Sequence, residues 1–166
     1  MLPSIDLRIA NLVKAVQQVI LPALPADERL AQEQCRLIVG HLGLISQQWK
    51  HALRYELISL DNMRNLARDL CGVVQPEQAA MLEQALAAVA DLDRDDLDAT
   101  QAAILIVGKA IDVVIEGDDG RIPLADAAGR LILAYGRNQS RRERTWFKGH
   151  GQDPDAAELP EIAAII

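Results

Sequence analysis

Apolar residues recur at alternating spacings of four and three through residues 26–58. The residues in this pattern are Ala31, Cys35, Ile38, Leu42, Ile45, Trp49 and Ala52. Such spacing places the apolar side chains on one face of an α-helix. It predicts one long helix of about 45 Å, at a rise of about 1.5 Å per residue, along which other helices must pack. Past residue 58, either this helix continues or a new one, capped by Ser59 or Asp61, runs to Leu70.

Gly40 and Gly43 lie three residues apart inside the predicted long helix. Each glycine weakens a helix by about 1 kcal/mol relative to alanine. The pair therefore favours a tight helix–helix crossing, where a second backbone comes close. A hinge or a notch for a ligand is the alternative interpretation.

Helical signals also flank this segment on both sides. A first helix follows the capping residue Ser4 and ends at Pro22, another covers residues 77–92, and a further one begins at Pro123. The fold class predicted is all-α, an up-and-down bundle of five or six helices around the long helix. We assign residues 1–150 to this bundle. Residues 151–166 form an apolar C-terminal tail that docks on the body or on a second subunit.

Residues 99–116 are almost entirely aliphatic and are predicted to be the most buried segment. Asp98, with Gln101 three residues later, can form a capping box at the start of a helix, and Gly117 can end it. The length of the segment favours a central helix. A pair of strands divided at Gly108 is the alternative, because the segment is rich in β-branched residues.

Composition narrows the class of protein. Half of the 166 residues are apolar, but only five are aromatic, and the net charge is −7. The acidic balance argues against nucleic acid as a partner. No apolar run approaches the roughly 20 residues of a membrane span. Charged residues near the N-terminus and two cysteines in apolar segments, interpreted as reduced, favour a cytoplasmic location.

Motifs for metal binding or catalysis are missing from the sequence. Five aspartates occur within residues 91–98, but the glycine and glutamate that an EF-hand requires are absent, so we interpret this stretch as a solvated, helix-capping loop. His41 and His51 are ten residues apart and do not share a helix face, and no Glu-x-x-His motif occurs. We interpret His41 as a hydrogen-bonded interior or boundary histidine, with a ligand-binding or catalytic role as the alternative. No nucleophile elbow or phosphate-binding loop is present. We expect no metal, no cofactor and no catalytic residue.

A basic stripe is the most distinctive feature of the second half. Arg137, Arg141, Arg144 and Lys148 step by four, three and four along the last predicted helix, beside Trp146 and Phe147. Cations at a helix C-terminus are favoured by the helix dipole and can bridge to acidic loops of the same chain. Alternatively, the three arginines clamp an anion or an acidic partner and Trp146 is an apolar anchor.

The first seventy residues resemble a small family of bacterial all-helical proteins of unknown function. Residues 19–25 (VILPALP) and 37–44 (LIVGHLGL) carry the resemblance. In some members a comparable domain is linked to phosphotransferase-like or acyl-CoA-dehydrogenase-like proteins. The resemblance implies a helical accessory domain and supplies no catalytic residue.

Three functional hypotheses follow. The first is a non-enzymatic accessory or protein-interaction module that forms a homodimer. The second is a protein that binds a small apolar or acyl ligand inside the bundle, with the basic stripe holding its anionic head. The third is an enzyme that uses His41 with a carboxylate such as Glu33 or Asp112.

Overall fold

The structure, a computed structural model, describes residues 2–120 and 123–166, with the backbone alone for 118–120. Within these residues the fold is all-α, as predicted, and contains no strand. The α-helices are α1 (Ile5–Ala15), α2 (Leu21–Ala23), α3 (Arg29–Gln48), α4 (Ala52–Cys71), α5 (Pro76–Ala88), α6 (Leu97–Gly120) and α7 (Asp126–Phe147). A π-helical turn, Val16–Ile20, joins α1 to α2. Short 3₁₀ turns follow α7 at Lys148–His150, Ala156–Glu158 and Ile162–Ala164.

The chain forms two compact units. The first unit comprises Met1–Lys50 and Arg144–Pro160, and the second comprises His51–Glu143 and Glu161–Ile166. Helix α7 contributes its last residues to the first unit and the rest to the second. The predicted assignment of 1–150 to one bundle and 151–166 to a docking tail stays a prediction.

The predicted single helix over residues 26–58 is wrong. Helix α3 ends at Gln48, a turn occupies residues 49–51, and α4 begins at Ala52 and continues to Cys71 without a break at Ser59 or Asp61. The turn contains neither glycine nor proline. It coincides with a long-range interaction, because the Trp49 indole and the Lys50 ammonium group both donate to Asp6, at 3.0 and 2.7 Å. The spacing of apolar residues alone does not predict such a break.

The first unit is built on an antiparallel pair, α1 and α3. The bonds from Trp49 and Lys50 to Asp6 place the end of α3 beside the start of α1. The buried apolar residues of this unit are Ile9, Val16, Cys35, Leu44, Trp146 and Leu159. Gly40 and Gly43 do not mark a tight crossing, because a Cβ atom added at either position would have no neighbour within 4 Å. That prediction is wrong.

The second unit packs α4, α5 and α6 against one another and against the first half of α7. Its fully enclosed aliphatic side chains are Leu60, Leu70, Leu82, Val107 and Val114. Helix α5 starts with a capping box between Gln75 and Gln78. Both cysteines are free, and they lie in different units, Cys35 in the first and Cys71 in the second.

Helix α6 confirms the helical interpretation of residues 99–116 and excludes the strand pair. Its cap is Asp96, whose carboxylate accepts the Ala99 N–H at 3.0 Å, rather than the predicted Asp98. Only one face of α6 is buried, since Leu105 and Ile115 are 64% and 46% exposed. Gly117 has a positive φ of 57°, although the helix extends to Gly120. No helix among the described residues combines the length and apolar character that a bilayer crossing requires.

Candidate functional site

An apolar face lies on one side of the α1/α3 pair in the first unit. It comprises one row of side chains on α1 and the following turn, and one row on α3. These rows are Ile5, Leu12 and Val19, and Ile38 and Ile45. Their exposed fractions range from 46% to 66%. The residues within each row are seven apart, which is close to two helical turns.

Each exposed row lies next to a buried row on the same helix. On the first helix and its π-helical extension, Ile9 and Val16 are buried, and the exposed Leu12 and Val19 follow each of them by three residues. On α3, Cys35 is buried and Leu42 half-buried, and Ile38 and Ile45 again follow by three.

The two exposed rows therefore lie on the same side of the helix pair. On both helices the exposed residues follow the buried ones by three positions. The exposed row is therefore rotated from the buried row in the same direction about each helix axis. Because α1 and α3 run antiparallel, equal rotation about each axis brings both rows to one side of their shared interface. Ile38 and Ile45 belong to the row that the sequence predicted to be buried, so the prediction that this whole row is buried is wrong.

A face of this kind can exclude water but cannot perform chemistry. Its five side chains carry no polar atom, and scattered exposed leucines would not by themselves need an explanation. Contiguous apolar surface on a soluble protein typically marks an interaction site.

The predicted arginine clamp is divided between the two units. Arg137 and Arg141 are exposed on the part of α7 in the second unit, whereas Arg144 lies in the first. Arg144 donates to both carboxylate oxygens of Asp153, at 2.7 and 2.9 Å, and to Asp155 at 2.9 Å. The hydrogen bonds from Arg144 to Asp153 lower the pKa of Asp153 to about 2. Arg144 thus bridges to an acidic loop of its own chain.

Trp146 does not supply an exposed apolar anchor. Its side chain is 8% exposed, and its carbonyl oxygen accepts a hydrogen bond of 2.7 Å from the Gln48 amide. Phe147, the next residue, is 55% exposed. Binding of a partner or anion at Arg137, Arg141 and Arg144 stays a prediction.

Sequence reasoning passed over Arg142, which is the most buried arginine of the described residues. Its side chain donates to the carbonyl oxygens of Tyr55 and Ile165, to the Ser59 hydroxyl and to the Gln139 amide oxygen, at 3.0–3.4 Å. Its guanidinium carbon also lies 4.6 Å from the centre of the Tyr55 ring. A signal was present, because Arg142 follows the half-buried Tyr135 by seven residues and so continues an inward row of α7.

The acidic stretch between α5 and α6 acts as a capping loop, as predicted. The Asp93 carboxylate accepts the Asp95 N–H at 3.0 Å, in addition to the cap that Asp96 provides. Arg94 binds both oxygens of Asp61, at 3.1 and 2.8 Å, and these bonds lower the pKa of Asp61. No group of three or more potential metal ligands occurs among the described residues.

His41 is exposed on α3 and its ring contacts that of His150, with the ring centres 5.3 Å apart. The Nδ1 atom of His150 is buried and has no hydrogen-bond partner. Glu33, predicted as a possible catalytic partner for His41, instead pairs with Arg36 at 3.3 Å. The sequence did not predict that His41 contacts His150, because His150 lies far along the chain from His41.

A groove runs between α5 and α6 in the second unit, with a volume of about 350 Å³. Its walls are mostly apolar and include Met81, Ile106 and Val113, each about 40% exposed. Lys109 is the one charged residue of the lining. Such a groove suits a small apolar molecule with a single anionic group.

Comparisons with known proteins give no relative for this chain: no family model, no curated protein and no solved structure matches it. The resemblance of the first seventy residues to a bacterial all-helical family therefore stays a prediction.

Proposed function

We propose that this protein is a non-enzymatic interaction module that forms a homodimer through the apolar face of its first unit. The observation that carries the proposal is the pairing of an exposed aliphatic row with a buried or half-buried apolar row on both α1 and α3. Two free cysteines in apolar surroundings are consistent with work in the reducing cytoplasm.

A second copy of the chain is the partner that this geometry suits best. Alternating four- and three-residue spacing supplies two rows per helix, which is what a four-helix bundle buries. The α1/α3 pair covers one row on each helix. An identical pair, related by a two-fold axis, presents the same aliphatic rows and would cover the other. Self-association therefore completes the pattern with the residues that the chain already has.

Lysine substitutions on the apolar face test the proposal. We expect the wild-type chain at micromolar concentration to elute with twice the mass of one chain in gel filtration with light scattering. Ile38→Lys and Leu12→Lys should each shift it to the monomer mass, because burying an unpaired ammonium group costs several kcal/mol. Circular dichroism would verify that the variants remain helical.

Leu133→Lys is the matched control. Leu133 is 61% exposed on α7 in the second unit, so the substitution makes the same change outside the apolar face. We expect this variant to remain a dimer. A monomeric wild type, or equal dissociation of the Leu133→Lys variant, would contradict the proposed interface.

The groove between α5 and α6 supports a second candidate function, the binding of a small acyl ligand with an anionic head. Its apolar walls can hold an acyl chain, and Lys109 can pair with a carboxylate. Decanoate titrated into the protein by calorimetry provides the test. We expect binding that Lys109→Gln weakens and that Lys14→Gln, an exposed lysine in the first unit, leaves unchanged. Absence of heat at millimolar decanoate would contradict this candidate.

A further inference from the structure

The paired histidines of the first unit form a second distinctive site. His41 lies on α3 and His150 ends the 3₁₀ turn Lys148–His150, and both belong to the first unit. Their ring centres are 5.3 Å apart, with the ring planes inclined by 64°. The chain has three histidines in all, so two of them meet although they lie on separate elements.

The two rings meet edge to face, and the separation of their centres is also that of two imidazoles that share a metal ion. A zinc–nitrogen bond is 2.0–2.1 Å long, and the centre of an imidazole ring lies about 1.1 Å behind its nitrogen. Two such rings at a tetrahedral angle have centres about 5.2 Å apart. The observed distance is within 0.1 Å of this value.

The buried nitrogen of His150 is an independent indication of a missing ligand. Among the side-chain nitrogen and oxygen atoms of the described residues that are inaccessible to solvent, only His150 Nδ1 lacks a hydrogen-bond partner. A buried polar atom without a partner costs about 1–3 kcal/mol, and such atoms are rare in native proteins. Coordination of a metal ion by its lone pair would satisfy it. His41 is exposed, so an ion can approach from its side of the pair.

We propose that His41 and His150 bind one divalent transition-metal ion, with water completing the coordination. Imidazole nitrogen selects zinc, nickel or copper over the oxygen-preferring magnesium and calcium. Among the described residues no carboxylate or thiolate joins the two histidines in a group of three potential ligands, so the protein supplies two ligands and binding is weaker than at a closed structural zinc site. The ion would link α3 to the segment that follows α7 within the first unit. This inference does not depend on the proposed dimer.

Calorimetric titration with zinc chloride tests the site, and His51 provides the matched control because it belongs to the second unit. We expect one zinc ion per chain. His41→Gln and His150→Gln should each raise the dissociation constant about tenfold or more, while His51→Gln leaves it unchanged. Calcium and magnesium should give no binding. Absence of zinc binding at millimolar concentration, or an equal loss in the His51→Gln variant, would overturn the proposal.

Nuclear magnetic resonance of the wild-type protein keeps the test decisive should a histidine variant fold poorly. Paramagnetic nickel broadens the ring-proton signals of histidines that bind it. We expect the signals of His41 and His150 to broaden together at substoichiometric nickel and that of His51 to persist. Broadening of one member of the pair alone would show single-histidine binding and would also overturn the proposal.

Discussion

The guanidinium group of Arg142 donates hydrogen bonds to the carbonyl oxygen of Ile165, at 3.3 and 3.4 Å. Both residues belong to the second unit. The other acceptors of Arg142 are the carbonyl oxygen of Tyr55, the hydroxyl of Ser59 and the amide of Gln139, all of them neutral. One buried cation thus ties the end of the chain to the first turns of α4.

Arg142→Met is expected to destabilise the second unit. The methionine fills part of the space but removes every hydrogen bond of the guanidinium group, which costs about 2–3 kcal/mol because hydrogen bonds to charged groups are the stronger kind. Urea unfolding followed by circular dichroism measures the loss. Arg141→Met makes the same change at the exposed neighbouring position and is expected to cost less than about 1 kcal/mol. Equal losses in the two variants would contradict the role assigned to Arg142.

The pair Arg144–Asp153 predicts a pH dependence of stability. Because the folded state lowers the pKa of Asp153 from 3.8 to about 2, its contribution is fully present above pH 3.8 and is lost as the pH falls toward 2. Asp153→Asn should lower the melting temperature at pH 7, and the difference from wild type should close near pH 2. A gap that is independent of pH would contradict the assignment.

The open space around Gly40 and Gly43 predicts that alanine at either position stabilises the protein, whereas their spacing predicted a tight crossing. Space around both positions is open, so Gly40→Ala and Gly43→Ala should each raise the free energy of unfolding by about 0.5–1 kcal/mol through higher helix propensity. Gly151→Ala should instead lower it by about 1 kcal/mol, because the φ of Gly151 is 75°. A lower free energy of unfolding in the Gly40→Ala or Gly43→Ala variant would contradict this prediction and support a tight helix–helix crossing.

Helical periodicity predicted the elements of this fold better than their ends. The 4-3 spacing identified α1 and α3, and the aliphatic run with its flanking caps identified α6. The break at residues 49–51 was missed because Asp6, which binds both Trp49 and Lys50 there, lies in another helix. Such contacts leave no mark in the local sequence.

The candidate sites show the same limit. A spacing pattern tells which side chains share a helix face, but not whether a partner helix covers that face. Ile38 and Ile45, predicted in the buried row of the long helix, are therefore exposed, while Trp146, predicted at a binding surface, is buried. The meeting of His41 and His150 is likewise a property of the folded chain.

Sedimentation equilibrium of the wild-type chain, over concentrations from about 1 to 100 μM, tests the central claim most directly. This range covers dimers with micromolar dissociation constants, which correspond to a binding free energy of about 8 kcal/mol. Self-association through the apolar face predicts a weight-average mass that rises to twice that of one chain and goes no higher. A mass that stays at that of a single chain throughout this range would contradict it.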